Sequence, residues 1–266
     1  MYIELHSRSA FSFLEGSSLP EELAGVCAQL SMPAMALLDR DGVYGAPRFH
    51  LAAKKLGLRA HIGAEITFSP HKGFPVSSFE FQNHPNSGQL ETRNPKLETA
   101  PARTSKLETR NSSGHWPLTT DCARLPLLVA SRTGYQNLCR LITRMKMRGP
   151  KDAPPEQIAA TADDLAEFSQ GLVCLTGDEH GPLAAALARG GIEQGRRAVE
   201  QLIRIFGREN VYLELQRHFY REQEARNQAA MEIARSLGVP LLATNGVSYA
   251  APARGVGNGS HAISER

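Results

Sequence analysis

The sequence predicts an α/β fold in which parallel strands alternate with helices, and three observations support this prediction. Short apolar runs that end in polar residues recur along the chain, as at 34–38. Such runs are followed by stretches with the apolar spacing of an amphipathic helix, as at 47–56. This order implies right-handed crossovers and a parallel sheet. With 266 residues, 41% of them hydrophobic, the chain is long enough to bury a sizeable core.

The first strand is expected at residues 2–6, where apolar and polar residues alternate. His6 ends this strand, and the carboxyl ends of barrel strands are where catalytic side chains are placed. A helix is expected to follow, with Ser18 as its N-cap and Pro20 in its first turn.

The same pattern predicts seven strands and a series of intervening helices. The strands are expected near residues 2–6, 34–38, 60–67, 126–130, 171–175, 210–216 and 240–244. Helices are expected at 47–56, 131–143, 161–168, 182–189, 192–206 and 222–237. Thr161 is the predicted cap of its helix, and Gly238 is expected to end the last one.

Two segments differ in composition from the rest. Residues 76–118 are rich in Ser, Thr, Asn, Pro, Lys and Glu and contain irregular copies of a short Leu-Glu-Thr unit, so we expect a disordered insertion. Residues 251–266 are rich in Gly, Ser and Ala, and we expect an unrelated, disordered tail there. The folded domain is therefore expected to cover residues 1–250.

Composition limits the function classes. A net charge of +3 and a pI near 8.7 permit a nucleic-acid partner without arguing for one. The four cysteines are scattered without a CxxC pair, which is typical of free thiols in a reducing compartment. Neither a membrane-spanning run nor a signal peptide is evident, so we expect a cytoplasmic protein with no membrane partner.

Several motifs resemble the polymerase and histidinol phosphatase (PHP) domain. The segments 6–16, 38–45 and 62–65 resemble its opening motifs, in the form found at the N-terminus of bacterial C-family DNA polymerase III alpha subunits. The phrase Thr-Gly-Tyr-Gln-Asn-Leu at 133–138 is the most specific match to that polymerase branch. The resemblance implies a distorted seven-stranded parallel (β/α)7 TIM-like barrel. It also implies up to three metal ions at the C-terminal rim, which suit phosphoester hydrolysis.

The ligand set departs from the family pattern. The positions that retain ligand-type residues, with Asp178 as a substitute for a cysteine, are His6, Glu15, Glu65, Asp178 and His218. The replaced positions are Arg8, Arg40, Arg124, Gly246 and Ser248. Arginine cannot ligate a metal, because its guanidinium stays protonated and has no free lone pair.

We therefore expect the three arginines to pair with Glu15, Glu65 and Asp178, leaving a degenerate site without metal. No cofactor is expected; if one binds, it would be a divalent Zn, Mn or Mg ion in the residual site. Such ligand loss is more typical of the error-prone polymerase branch than of the replicative branch.

Three functions remain open. The favoured one is a structural, catalytically silent PHP domain of an error-prone DNA polymerase in replication or translesion repair. It would be truncated before the polymerase active site, would pack against the palm domain and would meet DNA only through the full polymerase. The alternatives are an active metal-dependent phosphoesterase or 3′–5′ exonuclease, and a module that binds phosphate through its arginine rim.

Overall fold

A computed structural model describes residues 2–69, 122–150 and 153–250, together with the backbone of His261–Ala262. The predicted insertion at 76–118 lies outside the described residues, and so does most of the predicted tail at 251–266.

The main sheet has six strands in the order β1 to β6. They are β1 Ala34–Arg40, β2 Arg59–Phe68, β3 Ala123–Val129, β4 Leu172–Leu175, β5 Val211–Leu215 and β6 Leu241–Ala243. A second, two-stranded sheet pairs β7 Val247–Tyr249 with β8 His261–Ala262. The predicted strands from 34–38 onward therefore each match a strand of the main sheet.

The sheet is mixed, so the prediction of seven parallel strands is wrong in detail. β3 runs antiparallel to both β2 and β4, whereas the other neighbouring pairs are parallel. Parallel neighbours need a crossover that returns the chain to the starting end, and the connection from β3 to β4 does not provide one. β4 begins where β3 ends, as the hydrogen bond from Ala130 N to Gly171 O shows (2.9 Å).

The first predicted strand, at 2–6, is instead an irregular segment with two isolated parallel bridges. Glu4 pairs with Met35 of β1, and Ser7 pairs with Val247 of β7. This segment accepts backbone hydrogen bonds from Ala36 and Leu38 of β1 and exchanges others with Val247 of β7, too few for a continuous ladder on either side. This N-terminal segment joins the first strand of the main sheet to β7.

Seven helices are present in the described residues. They are α1 Pro20–Gln29, α2 Ala46–Lys55, α3 Arg132–Lys146, α4 Pro155–Ile158, α5 Ala162–Phe168, α6 Pro182–Phe206 and α7 Arg221–Leu237, with a 3-10 turn at Arg208–Asn210. Gly190 and Gly191 leave helical geometry inside α6, which matches the two helices expected there. In this described part of the chain, no helix has the length and apolarity needed to cross a bilayer.

The helix ends test the predicted caps. Thr161 caps α5 by accepting a hydrogen bond from Asp164 N, and Gly238 ends α7 in the left-handed conformation, so both predictions are confirmed. Ser18 does not cap α1: the N-cap is Leu19, and Ser18 Oγ instead accepts from Ala250 N (2.9 Å). Ser18 therefore holds the end of the described domain to its beginning.

β1 shows how the core is divided. Its residues Met35 and Leu37 pack with Phe49 of α2 in one buried cluster. The alternate residues Ala36 and Leu38 pack in a second cluster, with Leu128 and Leu175. Successive side chains of a strand point to opposite faces, so β1 is covered on both sides and reads as a continuous apolar run.

Candidate metal centre

The candidate site lies where the N-terminal segment, which runs parallel to β1, reaches the carboxyl ends of β1, β2 and β4. His6 and Arg8 come from that segment, Glu65 from β2 and Asp178 from the turn after β4. All four are buried, with exposed fractions between 0% and 7%. Gly177 allows the turn before Asp178, because its φ of +78° is one that side chains rarely adopt.

Arg8 is the centre of this group. Its Nε donates to Glu65 Oε2 (2.7 Å), and its Nη2 donates to Glu65 Oε1 (2.7 Å) and to Asp178 Oδ2 (2.8 Å). The same Nη2 lies 3.4 Å from His6 Nε2. One nitrogen of the guanidinium therefore faces a potential ligand atom from each of three residues.

His6 is held by a second carboxylate, Glu214 of β5. The hydrogen bond joins His6 Nδ1 to Glu214 Oε1 (2.7 Å), which leaves Nε2 directed toward Glu65 Oε1 (3.4 Å). Thr244 Oγ1 and Gln216 Nε2 also donate to Glu214 Oε1. Burial lowers the pKa of His6, but Glu214 and Glu65 outweigh it and hold that pKa well above its usual value.

The two carboxylates facing Arg8 are held in the ionised form. Burial alone would raise the pKa of Glu65, but the adjacent Arg8 guanidinium lowers it well below the usual value. The pKa of Asp178 is also lowered: burial opposes ionisation, and Arg8 more than compensates. These are buried, charge-assisted hydrogen bonds, the class in which loss of one partner is most costly.

A second ion-pair cluster lies beside the first and is more exposed. Glu15 accepts from Arg40 Nη1 (2.6 Å) and from Arg124 Nη1 and Nη2 (2.9 and 2.7 Å). The expectation that Arg8, Arg40 and Arg124 pair with Glu15, Glu65 and Asp178 is confirmed by these contacts. Arg8 takes two of the carboxylates, and the other two arginines share the third.

Asp39 fixes the loop that carries Glu15. Its Oδ1 accepts from the backbone N and the Oγ of Ser9 (2.9 and 2.8 Å) and from Ser12 Oγ (3.0 Å), and its Oδ2 accepts from Gly45 N (3.0 Å). Both carboxylate oxygens of Asp39 therefore accept hydrogen bonds that position two loops around the site.

The described residues contain one group whose potential ligand atoms all lie within 4.8 Å of one another: His6, Glu65 and Asp178. Glu15 and His218 do not belong to it. His218 Nδ1 is bonded to Gln223 Nε2 (2.8 Å) and its Nε2 to Asn245 O (3.0 Å).

The two replaced positions near the end of the domain do structural work. Gly246 adopts a φ of +60°, and a side chain there would contact Gln216. Ser248 is buried, and its carbonyl oxygen accepts from Ser17 N (2.9 Å).

Sequence reasoning did not assign a role to Glu214 or Glu4. Both are buried, and both lie in alternating segments where a carboxylate needs a partner. Glu4 Oε1 accepts from His6 N (2.7 Å), and burial raises the pKa of Glu4 to about 7. The signal that could have found them is a carboxylate within an otherwise apolar, alternating segment.

Comparison with known proteins identifies the family. The family model described as the PHP domain matches residues 4–218. The chain belongs to the PHP family. Its curated relatives include the error-prone DNA polymerases of Mycolicibacterium paratuberculosis, 32% identical over 254 residues, and Anaeromyxobacter dehalogenans, 33% identical over 260 residues. These alignments cover 95% and 96% of this chain but 19% and 18% of the relatives, so the PHP chain spans about a fifth of their length.

A solved structure shows the same fold. A protein from Bifidobacterium adolescentis, assigned as a metal-dependent phosphoesterase, aligns with 97% of the PHP chain and 92% of its own, with a TM-score of 0.50 and 12% identity. At this identity the likeness concerns the fold alone.

The donor chemistry decides whether a metal fits. A histidine and two carboxylates suit a divalent cation, and the bond from His6 Nδ1 to Glu214 is the outer support that metal-binding histidines use. Arg8 Nη2, however, already lies among the same three ligand atoms and brings a positive charge with it. With Arg8 in this position, His6, Glu65 and Asp178 do not fit a metal ion.

Proposed function

We propose that this chain is a structural PHP domain of the error-prone DNA polymerase type and is silent in phosphoester hydrolysis. One observation carries the proposal: Arg8 Nη2 lies 2.7 to 3.4 Å from atoms of Glu65, Asp178 and His6, the group that would otherwise hold a metal. Hydrolysis in a metal site requires an ion that generates a hydroxide and stabilises developing charge, and a guanidinium does neither.

The guanidinium keeps the charge balance of the site and links three parts of the chain. It joins the N-terminal segment to β2 and to the turn after β4 through side chains that are almost fully buried. The role we assign to this arrangement is to hold these three parts of the domain together. In a polymerase the domain would pack against the palm, and its contribution to replication or translesion repair would come through that enzyme; the similarity to error-prone polymerases supports this setting.

Metal analysis of the purified chain tests the proposal. After dialysis against zinc, manganese or magnesium, we expect far less than one equivalent of metal. We also expect no hydrolysis of bis(p-nitrophenyl) phosphate or of single-stranded DNA. If the chain binds one equivalent of metal, loses it in His6→Ala and hydrolyses either substrate, the proposal of catalytic silence is wrong. A metal-dependent phosphoesterase is then favoured.

The Arg8→Ala variant tests whether the guanidinium is what excludes the metal. Removing the guanidinium leaves three ligand atoms around an open space, so this variant should bind about one equivalent of zinc and gain thermal stability from it. Arg8→Ala combined with His6→Ala is the control and should gain neither. Equal zinc binding by wild type and Arg8→Ala would show that the guanidinium does not exclude the metal.

The second candidate is a metal-dependent phosphoesterase or 3′–5′ exonuclease. The observation in its favour is the grouping of His6, Glu65 and Asp178 within 4.8 Å. The phosphate-binding reading is less well supported, because Arg8, Arg40 and Arg124 all donate to carboxylates already.

A further inference from the structure

The end of the sheet opposite the candidate site carries a concentration of positive charge. We propose that this basic end, defined by Lys54, Lys55, Arg59 and Arg132, binds the phosphate backbone of double-stranded DNA. The inference does not depend on Arg8 or on catalytic silence, since it concerns a separate surface of the isolated chain.

Sheet topology places these four residues at one end. Lys54 and Lys55 end α2, and Arg59 begins β2, six residues before Glu65. At about 3.3 Å per residue this places Arg59 roughly 20 Å from Glu65 along the strand. β3 runs antiparallel to β2, so α3 starts, with Arg132, at the same end.

The chain segments at this end of β1 to β4 contain no carboxylate. Residues 42–64 contain four Lys or Arg and no Asp or Glu. The loops that meet this end of β1 to β4, at 30–33, 56–58, 130–131 and 169–171, also contain no Asp or Glu. The positive charge is therefore not neutralised by its sequence neighbours.

The side chains are exposed and available. Among the residues that the structure describes, Lys54, Lys55, Arg59 and Arg132 are all exposed, and none makes an ion pair within 4.0 Å. Arg48, earlier on α2, is different because its Nε is 2.6 Å from Glu21 Oε1. Burial lowers the pKa of His61, and the nearby positive charge of Arg59 lowers it further, which agrees with an uncompensated field.

Helix-end electrostatics explain only part of the pattern. Lys54 and Lys55 lie in the last turn of α2, where cations interact favourably with the helix dipole. Arg132 opens α3, where a cation is disfavoured, and Arg59 lies in a strand. Exposed cations without carboxylate partners are complementary in charge to the phosphates of a nucleic-acid backbone.

Fluorescence anisotropy with a labelled 20-base-pair duplex and the full chain tests this inference. We expect weak, sequence-independent binding, and a plot of log affinity against log salt with a slope of about −3.6 for four phosphate contacts. Lys54→Gln combined with Lys55→Gln should reduce the magnitude of that slope by about 1.8.

Arg221→Gln is the matched control, because Arg221 is also an exposed cation at a helix end but begins α7, which follows the carboxyl end of β5 and so lies at the opposite end of the sheet. It should leave affinity and slope near the wild-type values; an equal loss would show a general charge effect and overturn the inference. Arg132→Gln, in α3, should reduce the magnitude of the slope by about 0.9 if the basic end acts as one surface. Tighter binding of a labelled acidic amphipathic peptide than of the duplex at the same salt would assign the surface to a protein partner instead.

Discussion

At the residue scale, Arg8 and Arg40 show how burial decides the value of an arginine. The side chain of Arg8 is 9% exposed and forms a bidentate pair with Glu65 as well as a bond to Asp178. The side chain of Arg40 is 34% exposed and shares Glu15 with Arg124. An arginine therefore contributes more to the stability of the fold at position 8 than at position 40.

A pair of lysine substitutions tests this difference. Arg8→Lys keeps the charge but cannot make the planar, bidentate contact, so we expect the free energy of unfolding to fall by about 3 kcal/mol. Arg40→Lys should cost less than about 1 kcal/mol, because its pair is partly solvated and Glu15 keeps Arg124. Urea unfolding followed by circular dichroism measures both. Equal losses would contradict the assignment of Arg8 as the central ion-pairing residue.

How far the site could be predicted also becomes clear at this scale. Local motifs identified His6, Glu65 and Asp178, and charge reasoning predicted the arginine pairs. The structure shows that Asp178, and not His218, completes the group with His6 and Glu65. The role of Glu214 could not be derived from local spacing, because its partner His6 is 208 residues away in the sequence.

At the element scale, α3 contains a glycine at a position where a larger residue would clash with a neighbouring loop. Gly134 lies inside the helix, and a Cβ there would be 1.8 Å from Gly171 O. The structure thus shows a close approach between α3 and the loop before β4. Asn137 supports the same contact by donating from Nδ2 to Gln170 O (2.9 Å).

Alanine substitutions at two helical glycines separate space from helix propensity. Gly134→Ala should lower the free energy of unfolding by about 2–3 kcal/mol, because backbone atoms must move to accept the methyl group. Gly25→Ala in α1 is the control, since nothing lies within 4 Å of its added Cβ. That variant should stabilise the protein by about 0.5–1 kcal/mol. Thermal unfolding measures both variants. A Gly134→Ala variant as stable as the wild type would contradict the steric argument.

Strand positions could be predicted better than strand directions. β1 is covered on both faces, so its continuous apolar run identified it from local sequence alone. The direction of β3 depends on the ends at which the chain leaves β2 and enters β4, which no local pattern encodes. The N-terminal segment alternates like a strand, but its hydrogen bonds are divided between β1 and β7.

At the scale of the whole molecule, the buried charges predict an acidic optimum of stability. Glu65 has a lowered pKa, so its contribution is present above about pH 4.5 and is lost as the pH falls. His6 has a raised pKa, so its contribution is present below about pH 6.5 and is lost as the pH rises through its folded value. The pKa of about 7 for Glu4 also lowers stability as the pH rises from about 4.5 to 7.

Urea unfolding between pH 4 and pH 9 measures this profile. We expect the free energy of unfolding to be greatest near pH 5 and to decline toward alkaline pH. A maximum above pH 8 would contradict the assigned protonation states of His6 and Glu4. Because the charge of Arg8 does not change over this range, the decline should not require loss of its pair with Glu65.

The N-terminal segment must wait for most of the domain to be synthesised. At roughly 5–20 residues per second, a ribosome needs roughly 10–40 s to advance from His6 to Glu214, 208 residues later. Val247, which exchanges hydrogen bonds with His6 and Arg8, emerges later still. The first residues to leave the ribosome are therefore among the last to settle, and nascent chains stalled before residue 214 should leave this segment open to chaperones and proteases.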